Sequence, residues 1–135
     1  MPVKFHPQII LYGENIKPRE WSYNNRSELC FFSQSDEKGD WDQRFSRYRT
    51  LGRAVIDVYP GNNSRKAISD IIQYYLKITE KGEDKLGIEK KEFILFVETE
   101  TSLPSVSFDA ADLALISSHF PELQISFVPA SAQTN

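Results

Sequence analysis

Cysteine occurs once in this 135-residue chain, at Cys30, and histidine twice, at His6 and His119. A single cysteine excludes an internal disulfide and a thiolate metal cluster, and two histidines far apart in sequence make no metal-ligand pattern. Long apolar runs are missing too: a stretch such as Phe93–Val97 falls far short of the roughly 20 residues that cross a bilayer. The opening Met1-Pro2-Val3-Lys4-Phe5-His6 has no apolar core followed by small residues, so no secretory leader is expected and the expected address is cytoplasmic. Basic residues are absent after Lys91. Glu92, Glu98, Glu100, Asp109, Asp112 and Glu122 therefore give that stretch −6, against +3 for the first 91 residues and −3 in total. This split predicts an acidic surface suited to a basic partner.

What is present is globular in kind. Hydrophobic residues make up 40% of the chain and charged ones 26%, and nine Phe, six Tyr and two Trp supply much of the apolar area. The length fits one domain spanning 1–135, with a small-residue tail over 129–135 expected to fray. Gln8–Tyr12 is a β-rich run ended by Gly13, and Pro18 suits the first turn of a short helix through Trp21. Ser27–Ser33 reads as a strand and polar Gln34–Asp42 as a loop. Arg53–Tyr59 alternates and meets the turn signal Pro60-Gly61-Asn62-Asn63. Ile68, Ile71, Ile72, Tyr75 and Leu76 then repeat at helical spacing, with Asn63 or Ser64 expected as the cap and an end near Gly82. Glu92–Thr99 is the next strand, Ser105–Phe108 an extended piece, and Asp109 the cap of a helix whose Leu113, Ile116 and Phe120 share a face. Pro121 stops that helix, and Leu123, Ile125 and Phe127 alternate as a last strand. The expected fold is α+β: a mostly antiparallel sheet with two main helices packed on one face, an order that admits a ferredoxin-like arrangement.

Catalytic patterns are scarce. Asp36, Glu37, Asp40 and Asp42 sit in a Gly-containing loop, where a solvated role is expected rather than a rigid carboxylate pair. Cys30 lies in an apolar strand pattern, no Gly-x-Ser-x-Gly elbow occurs, and Pro60–Ser64 lacks a phosphate-loop ending. No catalytic residue, cofactor or metal is therefore assigned. Trp41, set among charges, reads as a packing anchor or a contact residue. The segment Arg44–Arg53 interleaves Arg44, Arg47, Arg49 and Arg53 with Phe45 and Tyr48, a composition that can neutralise phosphates and stack on bases. Arginine forks suit acidic protein surfaces and internal ion pairs equally.

The strand Ile9–Tyr12 running into Gly13-Glu14-Asn15-Ile16-Lys17-Pro18-Arg19-Glu20, together with Pro104–Phe108, the Leu113–Phe120 helix and the Leu123–Phe127 strand, resembles a family of small uncharacterised bacterial α+β domains. Some members of that family are considered candidate immunity proteins that act beside secreted toxins. Between these ends, Gly39-Asp40-Trp41 is the only approach to the family's usual middle. The resemblance implies a binding module and transfers no catalytic residue.

Two expectations follow. The first is a non-catalytic protein-binding domain, an immunity protein neutralising a basic toxin domain through an acidic surface, with Trp41, Glu98, Glu100, Asp109 and Asp112 as contacts. The second is single-stranded nucleic-acid binding through Arg44, Arg47, Tyr48, Arg49 and Arg53. Neither involves a membrane.

Overall fold

The computed structural model describes residues 3–100 and 106–130. Ten elements follow one another: β1 (Lys4–Gly13), α1 (Pro18–Asn24), β2 (Cys30–Asp36), β3 (Trp41–Asp42), β4 (Arg47–Tyr48), β5 (Gly52–Val58), α2 (Lys66–Ile78), β6 (Lys90–Thr99), α3 (Ala110–His119) and β7 (Leu123–Pro129). No helix is long and apolar enough to cross a membrane among the described residues.

In β1, Phe5, Pro7, Ile9 and Leu11 point one way and are buried, while His6, Gln8 and Tyr12 point the other way and are half-buried. β1 is antiparallel to β5 on one side and to β6 on the other, and the full order is β2-β5-β1-β6-β7. Because β5 and β6 both run against β1, they are parallel to each other, and α2 is the crossover that joins them. α3 makes a second crossover, from β6 to its parallel neighbour β7.

The fold is α+β as expected, with two corrections. The sheet is mixed rather than mostly antiparallel, because residues 110–119 form a helix between two adjacent strands, and a strand leaving such a crossover returns in the same direction. The short helix expected from Pro18 forms as α1 and packs on it beside the two main helices, and the strand order does not establish a ferredoxin-like arrangement.

All three helices contribute to one core. Ile68, Ile71, Ile72 and Tyr75 of α2 meet Ile9, Leu11, Ala54, Ile56, Phe93, Leu95 and Val97 of the sheet. Trp21 of α1 packs near Phe32, 6.5 Å between centroids, and Phe120 after α3 packs against Tyr75 and Phe93 at 5.1 and 5.3 Å. Cys30 is buried in this core.

Helix ends bring smaller corrections. α2 starts at Lys66 with Arg65 at the cap position and no side-chain cap; Asn63 and Ser64 contribute their carbonyls, to Phe5 N–H and Ala67 N–H. Asp109 does cap α3, accepting from Ala111 N–H at 2.9 Å. Of the face expected on α3, Ile116 and Phe120 are buried but Leu113 is exposed. β7 continues to Pro129, in register with Thr99; Ser105 and the tail beyond Ala130 lie outside the described residues.

Gly13 shows how closely the layers meet. A Cβ there would stand 2.0 Å from the Gly87 carbonyl oxygen and 2.7 Å from Ile16 Cγ2. Gly13→Ala is expected to destabilise the fold by about 1–3 kcal/mol, the usual cost of overpacking. Urea unfolding checks this, and an unchanged midpoint would mean that the 82–89 turn shifts freely.

Candidate functional site

Residues 37–49 leave the sheet as an arm. The segment expected as loop, Gln34–Asp42, instead continues β2 to Asp36 and then forms β3, which pairs antiparallel with β4 through Trp41↔Tyr48 and Asp42↔Arg47. Gly39, at φ +93°, allows the turn into the arm. Its N–H donates to the Arg49 carbonyl at 2.9 Å, and Arg49 N–H donates to the Asp40 carbonyl at 2.7 Å. A four-residue loop closes the tip, where Arg44 N–H donates to Asp42 Oδ1 at 3.1 Å.

A two-stranded ribbon is marginal alone. Here its base is pinned by arginine–carboxylate pairs. Arg49 lies 3.1 Å from Asp36 and 3.7 Å from Asp42, and Arg19 of α1 lies 3.3 Å from Glu37 and 2.8 Å from Asp40. The four carboxylates expected to be solvated are thus structural pins, because each one finds a guanidinium that sequence distance concealed.

The outer part of the arm is differently made. Trp41, Phe45 and Tyr48 are 55%, 58% and 67% exposed. Trp41 and Tyr48 meet edge to face across the strands at 5.1 Å, a contact that holds the two rings without burying them. Arg44 and Arg47 lie over Phe45, 5.3 and 5.4 Å from its centroid, and form no ion pair among the described residues.

The arginine cluster is therefore divided. Arg44, Arg47 and Tyr48 face outward on the arm, whereas Arg49 is held by Asp36 and Asp42, and Arg53 donates to Gln34 and stacks over Tyr12.

The acidic candidates stand elsewhere. Register puts Arg53, Tyr12 and Lys90 at the arm end of the sheet and Glu98 beside Lys4. From Lys90 to Glu98 is about 26 Å at ~3.3 Å per residue. Glu98 faces away from the helices, 3.9 Å from Lys4 Nζ and 3.5 Å from His6 Nε2, which makes no hydrogen bond. Glu100 is exposed just beyond β6. Asp109 and Asp112 open α3, on the helix side; burial pushes the Asp112 carboxyl up, the charge of Asp109 adds to this, and Arg65 opposes it. Glu98, Glu100, Asp109 and Asp112 thus share one end of the molecule, and Trp41 belongs to the other.

Sequence reading did not single out Arg19 and Arg26. Both line a groove between α1 and the start of β2, with Tyr23, Phe31, Tyr59 and Tyr74. The lining joins residues 19–31 to Tyr59 and Tyr74, three separated stretches, so no local spacing could have brought the two tyrosines to it. Comparison with family models, curated proteins and solved structures finds no match for this chain.

Asp40 is the acid that ties the arm's base together, and its carboxyl is held below the ordinary range. The Glu37 N–H that donates to it is the leading cause, and Arg19 and Arg49 add to this against the effect of burial. A depressed folded pKa gives stability that is full above the unfolded value and lost as pH falls through the folded one. Hydrogen exchange at Gly39 and Arg49, taken relative to the intrinsic rate at each pH, should accordingly accelerate below about pH 3.8, the ordinary value for this group. Asp40→Asn should produce the same acceleration at pH 7. Equal protection in the variant would show that the backbone pairing alone holds the arm.

Proposed function

We propose that this protein is a non-catalytic protein-binding domain and that the arm is its principal contact surface. One observation carries the reading: three large aromatics more than half exposed on a single pinned ribbon, flanked by two arginines that form no ion pair among the described residues. Displaying such rings to water is unfavourable, and Trp, Tyr and Arg are the residues that dominate binding energy at protein interfaces. The partner's matching surface is then an apolar pocket rimmed by acidic groups.

Toxin neutralisation, the role considered for some members of the family that the chain resembles, is a role for a module of this kind. A basic toxin would meet the separate acidic end, Glu98, Glu100, Asp109 and Asp112, and contact there would leave the arm free. Single-stranded nucleic acid is the other class of partner that the arm's composition supports, through Arg44, Arg47 and the three rings. Arg49 and Arg53, committed to internal partners, contribute little to that reading.

A triple variant, Trp41→Ser with Phe45→Ser and Tyr48→Ser, separates these cases. Tagged protein is used to capture partners from native lysate, with and without nuclease. The expected result is one nuclease-resistant protein partner whose recovery falls at least tenfold with the triple variant, while the thermal midpoint changes by only a few degrees. Loss of the partner on reversing Glu98, Glu100 and Asp112, with the arm variant unaffected, would move the contact to the acidic end. Recovery abolished by nuclease would favour nucleic acid.

A further inference from the structure

Where α1 ends and β2 begins, a groove of about 430 Å³ opens at the edge of the sheet. Its size falls within the range of small-molecule sites. Among the described residues no carboxylate lines it: the charged groups there are Arg19 and Arg26, and the other walls are aromatic rings and small polar side chains.

The two guanidinium groups have different tasks. Arg19 is already bound to Glu37 and Asp40, so it forms a fixed rim. Arg26 is exposed, lies 5.5 Å over the Tyr23 ring and forms no ion pair among the described residues. Nearby, Ser27 Oγ accepts from Leu29 and Cys30 N–H, which leaves its own proton to donate outward. On the opposite wall Phe31 and Tyr59 are stacked, 4.6 Å between centroids, and Tyr59 is 41% exposed. Tyr74 donates its hydroxyl to the Asn25 carbonyl, which fixes the ring at the back of the groove.

We infer that this groove binds a small ligand in which a flat aromatic ring carries one anionic group, of the nucleoside monophosphate kind. The ring lies against Tyr59 and the anion meets Arg26 and the Ser27 hydroxyl, an arrangement in which stacking and a charge-assisted hydrogen bond act together. Cys30, at the floor, is pushed up to about 12 by burial, to which the charge of Asp70 adds, so it stays a neutral thiol that neither repels the anion nor attacks it. This inference does not depend on the arm, whose rings are in another part of the chain.

The test is an amide NMR titration of the full chain with adenosine monophosphate, phenyl phosphate and inorganic phosphate. Saturable shifts confined to residues 19–31, 59 and 74 are expected with the first two ligands and at least tenfold weaker binding with phosphate alone. Arg26→Gln and Tyr59→Leu, both at exposed positions, should each weaken binding about tenfold while the remaining spectrum is unchanged. Binding of phenyl phosphate without adenosine monophosphate would keep the ring-and-anion chemistry and exclude the nucleotide as its source. Phosphate binding as tightly as the aromatic ligands, unchanged affinity in Arg26→Gln, or no saturable shift would overturn the proposal. The arm triple variant should bind all three ligands as the wild type does, so failure here and failure of the arm reading are distinguishable.

Discussion

β1 is paired on both edges, and its inward side chains lie under the apolar stripe of α2. Its backbone groups are satisfied by two neighbours, while Ile9 and Leu11 are removed from water completely. The rest of the fold depends on this strand. β5 and β6 can be joined only by a crossover that passes over it, and α2 has somewhere to bury Ile68, Ile71 and Ile72 only because β1 fills the gap. Burial of each such side chain stabilises by roughly 1.5–3 kcal/mol, so this one contact outweighs the surface ion pairs.

The opposite face of the sheet is covered by side chains that satisfy one another. Gln8 donates to Asp57 at 3.1 Å, Tyr12 hydroxyl donates to Glu92 at 3.1 Å, and Arg53 donates to Gln34. Beneath this polar layer Ile10 and Val55, which face each other across β1 and β5, are only 4% exposed. The long side chains thus act as the second cover of the sheet, with their apolar stems over the two aliphatics and their polar ends joined.

Arginine has two roles here. At the base of the arm, Arg19 and Arg49 each join two carboxylates, and the geometry they impose brings α1, the end of β2 and the arm together. Pairs as exposed as these contribute little singly, so their value lies in fixing direction rather than in stability. The guanidinium groups of Arg26, Arg44 and Arg47, by contrast, lie over aromatic rings and form no ion pair among the described residues, a state that keeps the charge available to a ligand or partner.

Much of the fold was legible in sequence because it rests on local periodicity. Ile68, Ile71, Ile72 and Tyr75 specify α2 at helical spacing, the alternation in β5 and β7 specifies strands, and Asp109 marks the start of α3. Those patterns are short-range, and a single sequence contains them whole. The arm was not legible: β3 and β4 pair over two residues each, too few for alternation to register, and their ring contacts are made only once the hairpin closes. The groove was hidden for a related reason, since Arg26, Phe31, Tyr59 and Tyr74 meet only after β2 has paired with β5 and α2 has docked. The sequence by itself therefore determined the main helices, the strands of the large sheet, much of the core and the charge asymmetry. Tertiary structure alone decided which arginines are held by internal carboxylates and which form no ion pair among the described residues, because that depends on distances between segments that no local pattern encodes.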